Sequence, residues 1–206
     1  MPASLTDDRA TVFASIRKAL DTGAGKAKAA LPEWKPAQIV CRQPQDFPTL
    51  VDYFRFRFEA TAGVVVDGWA ALNAFLQTNN VQRGYADPAF AEAVKDFPFT
   101  IDHHFDRALV EEYQFGITRA TAAIAETGSL ILTESGSSSR LGALSPWLHV
   151  AVLEKASILP DMPAAIASFG SERSTLFVTG PSKTADVEGI LIQGVHGPGI
   201  QVCCLV

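Results

Sequence analysis

The chain has 206 residues, a net charge of -5, 48% hydrophobic and 19% charged residues. That length suits one domain, or one with an N-terminal appendage, able to bury roughly 70% of the surface its unfolded form exposes. The composition excludes a disordered chain, the longest apolar runs fall far short of the about 20 residues of a membrane span, and the lack of a basic tract argues against a nucleic-acid partner.

Asp7 and Asp8 stand where a secretory leader would carry positive charge, so the expected location is the cytoplasm. Val12, Phe13, Ile16 and Leu20 recur at helical spacing and predict a helix over residues 7–20. The following "DTGAGKAKAALPEWKPA" is aperiodic and reads as a linker, so residues 1–40 form a helical arm and residues 41–206 the main domain. From Phe47 helix and strand alternate. "FPTLVDYFRFRFEATAG" is helical, "GVVV" a buried strand, "GWAALNAFLQTNN" a helix, "VQRGYA" a strand and "DPAFAEAVKDF" a short helix with Pro88 in its first turn, while "FTIDHHF" fits either state.

"ATAAIAETGSLILTES" predicts a hairpin with a two-residue Thr127-Gly128 turn. After a serine-rich loop, "LHVAVLE" is a strand, "DMPAAIASF" a helix, and "STLFVT" and "GIQVCCLV" are strands. Strands separated by helices make the fold α/β, a mainly parallel sheet flanked by helices.

In such a sheet ligands bind beyond the carboxyl ends of strands. "TGPSKTADVEG" follows the strand "TLFV" directly. Gly180-Pro181 gives a tight exit, Ser182 and Thr184 give hydroxyls and Lys183 a cation, and a helix starting near Asp186 and Glu188 would turn free N–H groups toward an anion. The GxxxxGK[ST] spacing is missing, and a structural turn and an anion site both stay open. His196, beside Gly197 in "GVHGPG", is placed to act as acid or base, though a lone His is usually structural.

Glu126 sits in a tight turn with Thr127 and Ser129, as a base, a nucleophile or a cap of its own turn. Ser137 to Ser139 read as a mobile loop, whereas Arg140 among small residues can grip a carboxylate or phosphate with two hydrogen bonds. Asp102, His103, His104 and Asp106 read as a solvated or structural patch, because adjacent His residues on a regular element point apart and no second ligand cluster follows. Cys41, Cys203 and Cys204 have no cluster spacing; no metal site or cofactor is expected in this chain.

Three segments together, "GITRATAAIAETGSLIL" (116–132), "LSPWLHVAV" (144–152) and "TGPSKTADVEGILIQGVHGPG" (179–199), resemble the LUD-domain family and most closely its lactate utilization protein C branch. The resemblance runs roughly from Phe47 to the C-terminus, with Ser129 where the family usually has Thr and Lys183 where it has Arg. It implies a fold like that of the ribose-5-phosphate isomerase, glucosamine-phosphate deaminase and CoA-transferase superfamily. It also implies a role as a non-cluster subunit or accessory protein in bacterial oxidation of L-lactate to pyruvate, with the iron–sulfur clusters in partner subunits. The ligand would be a small anion, lactate, pyruvate or a phosphate. The expected site combines Glu126 and His196 for proton transfer with Thr127, Ser129, Arg140, Gly180, Ser182, Lys183, Thr184, Asp186, Glu188 and Gly197 for binding. Two rivals stand beside it: a self-sufficient acyl- or CoA-transferase or sugar-phosphate enzyme with Glu126 or Glu134 as nucleophile, and a non-catalytic assembly or sensing module.

Overall fold

The computed structural model describes residues 5–23, 47–134, 136, 139–170, 172, 174–185 and 191–206. The chain divides into two units, Met1–Cys41 and Arg42–Val206. In the first, α1 (Leu5–Gly23) is a helix whose apolar positions Val12, Phe13, Ile16 and Leu20 are exposed. The predicted linker lies largely outside the described residues.

The second unit begins with α2 (Leu50–Ala60), started by Thr49, whose hydroxyl accepts the Asp52 N–H at 3.1 Å and donates to the Asp52 carboxylate at 2.7 Å. Such a cap satisfies N–H groups that the first helical turn leaves orphaned. Then come β1 (Val64–Asp67), α3 (Gly68–Thr78), β2 (Arg83–Ala86), a 3-10 turn at Pro88–Phe90 capped by Asp87, α4 (Ala91–Val94), β3 (Thr100–Asp102) and β4 (Phe115–Arg119). A first insertion supplies β5 (Ala122–Ile124), β6 (Ser129–Thr133) and α5 (Arg140–Leu144) before β7 (Leu148–Leu153). A second supplies β8 (Ile158–Leu159), α6 (Met162–Ser168), β9 (Thr175–Val178), β10 (Lys183–Ala185) and β11 (Leu191–Gln193) before β12 (Ile200–Leu205).

Six strands form one parallel sheet in the order β1-β12-β7-β4-β2-β3. The strands from the two insertions form a separate sheet, β8-β5-β6-β9, in which β6 runs antiparallel to both neighbours, and β10 and β11 form a hairpin. The fold is therefore α/β with a mainly parallel sheet. Strands β7 and β12 are apolar except for His149 and Gln201 because both faces of the central sheet are covered. On one face Ala151, Leu153, Cys203 and Leu205 pack with Phe54 and Phe58 of α2 and with Ala123, Leu130 and Ile158 of the second sheet. On the other, Leu148, Val150, Val202 and Cys204 pack with Leu72 and Leu76 of α3. Phe54 and Phe58 are fully buried with ring centroids 5.3 Å apart, and each contributes about 2–3 kcal/mol by burial.

Two local expectations are corrected. The β5–β6 hairpin pairs Ile124 with Ser129, so its loop has four residues, Ala125 to Gly128, and not two. Gly128 there has φ +65°, and a Cβ on it would lie 2.5 Å from the Arg57 carbonyl carbon and the Phe58 nitrogen. The strand "TLFV" is β9 and pairs antiparallel with β6 in the smaller sheet, so the loop after it does not leave the carboxyl edge of the parallel sheet.

Candidate functional site

The loop after β9 and the turn before β12 come together. The Ser182 N–H donates to the Pro198 carbonyl at 2.9 Å, the Gly194 N–H donates to the Ser182 carbonyl at 2.9 Å, and a Cβ on Gly197 would lie 3.2 Å from the Ser182 Cβ. Between them opens a cavity of about 280 Å³ lined by Thr179, Gly180, Ser182, His196, Gly197 and Gln201 among others. Gln201 is the second residue of β12, and Gly197 and Pro198 precede that strand, so the cavity sits at the amino edge of the parallel sheet.

Gly180 has φ +75° and presses against Thr61, whose carbonyl oxygen a Cβ would strike, so glycine is required where the loop crosses the end of α2. The Lys183 ammonium donates to that same Thr61 carbonyl at 2.9 Å. Lys183 thus lies at the exposed start of β10 beside the cavity without lining it, and Thr184 follows half-buried in the strand. Residues 183–185 are extended and not helical, and Asp186 and Glu188 lie outside the described residues.

Glu126 lines none of the cavities described in this section. Its N–H donates to the Pro160 carbonyl at 3.1 Å and its own carbonyl accepts from Arg57 Nε at 2.8 Å. The turn is nevertheless tied to the first cavity by hydroxyls: Thr127 Oγ1 lies 2.7 Å from Ser129 Oγ, which lies 2.7 Å from Thr179 Oγ1. His196 is exposed and Ser129 buried.

Behind the cavity runs a buried polar group that sequence reasoning passed over. His149 on β7 is fully buried between Thr118 on β4 and Gln201 on β12, with Nε2 2.8 Å from Thr118 Oγ1 and Nδ1 2.9 Å from Gln201 Oε1. The Gln201 amide nitrogen donates to the Val202 carbonyl at 3.3 Å, so its Oε1 accepts from His149 Nδ1–H and Nε2 accepts from the Thr118 hydroxyl. Burial lowers the His149 pKa from 6.5 to about 4, against a weaker opposing effect of the Gln201 bond, which leaves a neutral imidazole at pH 7. The only sequence signal was a polar residue in an apolar strand.

Arg140 lies elsewhere. With Ser139 and Leu141 it lines a cavity of about 380 Å³ together with Tyr85, Pro88, His103, His104, Phe105 and Arg107. A third cavity, about 250 Å³, takes in Arg119, Thr121, Glu154, Ser157 and Val206 at the carboxyl ends of β4, β7 and β12, with the Arg119 guanidinium 5.6 Å from the Phe90 ring centroid. Among the described residues no group of three or more His, Cys, Asp or Glu is placed to hold a metal ion. Cys203 and Cys204 are buried, and burial pushes the Cys204 thiol up to about 12 and the Cys203 thiol higher still, so neither offers a thiolate. No described helix is long and apolar enough to cross a membrane.

Residues 90–206 match the LUD domain family. Lactate utilization protein C of Halalkalibacterium halodurans is 33% identical over 116 residues, 51% of this chain and 50% of that protein. The protein of the same name from Bacillus subtilis is 36% identical over 96 residues, 43% of this chain and 40% of that protein. The chain spans about half the length of the curated relatives it matches. A crystal structure of a DUF162 family protein from Deinococcus radiodurans shares the fold with a TM-score of 0.55 at 19% identity, over 76% of this chain and 96% of that one.

Proposed function

Because the chain belongs to the LUD-domain family, in its lactate utilization protein C branch, we propose that it serves lactate utilization by holding L-lactate or pyruvate while iron–sulfur partner subunits take the electrons. The observation that carries this reading is the meeting of the two ends of the family segment 179–199, "TGPS" and "HGP", around one cavity of about 280 Å³.

The ligand carboxylate is held by the Ser182 hydroxyl and the backbone of Gly180 and Gly197, in the positive field of Lys183. Oxidation of lactate to pyruvate removes two electrons and two protons. His196 takes the hydroxyl proton, and the proton from the Cα–H bond leaves along Thr179, Ser129 and Thr127 toward Glu126, whose turn those hydroxyls join to the cavity. Iron–sulfur partners, when docked, would supply the acceptor for the two electrons. Neutral His149 supports Gln201 on the cavity wall and takes no part in the proton transfer.

Calorimetric titration of the purified chain with L-lactate and pyruvate tests the reading. Saturable binding is expected, about tenfold weaker in Ser182→Ala through loss of a hydrogen bond to a charged group, with no lactate oxidation until the iron–sulfur partners are added. Silence toward both acids, or binding indifferent to Ser182, would overturn it.

A further inference from the structure

We propose that the 380 Å³ cavity at the carboxyl ends of β2 and β3 is a second ligand site, separate from the lactate cavity, that binds a small organic phosphate through Arg107 and Arg140.

Its lining carries two guanidiniums and two imidazoles and no carboxylate. The acids nearest in sequence do not line the cavity and have partners of their own. The Asp102 carboxylate takes Arg83 at 2.8 Å, Asp106 accepts the Ala108 N–H at 2.9 Å, and Asp87 accepts the Ala89 N–H at 2.9 Å. Among the described residues no carboxylate pairs with Arg107 or Arg140. Two guanidiniums at one concavity repel each other, and an anion entering there is attracted by both. A guanidinium fork matches a phosphate's oxygens with two hydrogen bonds.

The His pair, read from sequence as pointing apart, lies in a bend after β3, and both residues line this cavity. His103 Nδ1 donates to the Ala86 carbonyl at 3.0 Å, which leaves Nε2 as the nitrogen available to a ligand. The lining also carries two aromatic rings: Tyr85 and Phe105 stand edge to face with centroids 5.6 Å apart. A ring or sugar borne by the phosphate would lie against them. The volume agrees, since about 380 Å³ falls in the range of sites for whole small molecules, roughly 300–1,000 Å³, and exceeds what a three-carbon acid fills. The position agrees as well. The connection after β2 runs outward to β3 and that after β4 runs the other way to β7, so the strand order reverses between β2 and β4, and in open α/β sheets ligands bind outside the carboxyl ends of strands near such a reversal.

The full chain titrated with inorganic phosphate, ribose 5-phosphate and adenosine monophosphate by calorimetry tests this, with L-lactate run in parallel. At least one organic phosphate is expected to bind saturably, at least tenfold more tightly than inorganic phosphate. Arg107→Ala and Arg140→Ala should each weaken it tenfold or more, while the lactate titration stays as in the parent. Both side chains are exposed, so the variants keep their thermal midpoints. No saturable organic-phosphate binding, equal binding of inorganic phosphate, or affinity unmoved by both substitutions would overturn the proposal, whatever lactate does.

Discussion

At the residue scale, His149 couples stability to pH. Its folded pKa of about 4 lies below the ordinary 6.5, so as pH falls the unfolded chain takes up this proton first. The stability that the neutral ring confers is complete above about pH 6.5 and drains away between 6.5 and 4, by up to about 3 kcal/mol. Urea unfolding at pH 7, 5.5 and 4.5 should show this decline, and His149→Gln, which cannot gain a proton, should flatten it. An equally steep decline in that variant would mean that other groups carry it. His149 was legible only as a letter in a family segment, because a buried polar side chain is explained by its partners, and Thr118 and Gln201 lie 31 and 52 residues away.

At the scale of elements, most helices and strands announce themselves by period and punctuation: Asp161 caps α6 before Met162-Pro163, and Asp87 caps the turn at Pro88. Where the reading failed, the deciding contact was distant. The hairpin opened to four residues because Gly128 packs on the backbone of α2, and α5 hid in a serine-rich stretch because five residues carry too little period to see. The pairing of β9 with β6 is equally invisible, since periodicity says that a segment is a strand and not which neighbour it chooses. Helix α2 gives a direct test of element-to-site coupling. Thr49→Ala removes a cap worth about 1 kcal/mol, and the thermal midpoint should fall by about 3 °C. Because Gly180 and Lys183 both rest on Thr61 at the other end of the helix, lactate affinity should hold steady only if fraying stays at the N-terminal turn.

For the whole molecule, the α/β class and the parallel sheet followed from alternation of helix and strand, whereas the location of the cavities did not. The two ends of the family segment 179–199 converge at the amino edge of the sheet, and Arg140 and the His pair converge at the carboxyl edge, a division that no linear pattern reveals. Strands β7 and β12, six residues each, span about 20 Å between those edges at roughly 3.3 Å per residue and are buried except at half-buried Ile200. Two proposed sites at opposite rims that share no lining residue are expected to act independently. Each ligand then stabilises the fold by RT ln(1 + [L]/Kd) on its own account, and the two contributions sum. For the two proposed ligands, scanning calorimetry with both present should return the sum of the separate stabilisations, neither changing the other's affinity.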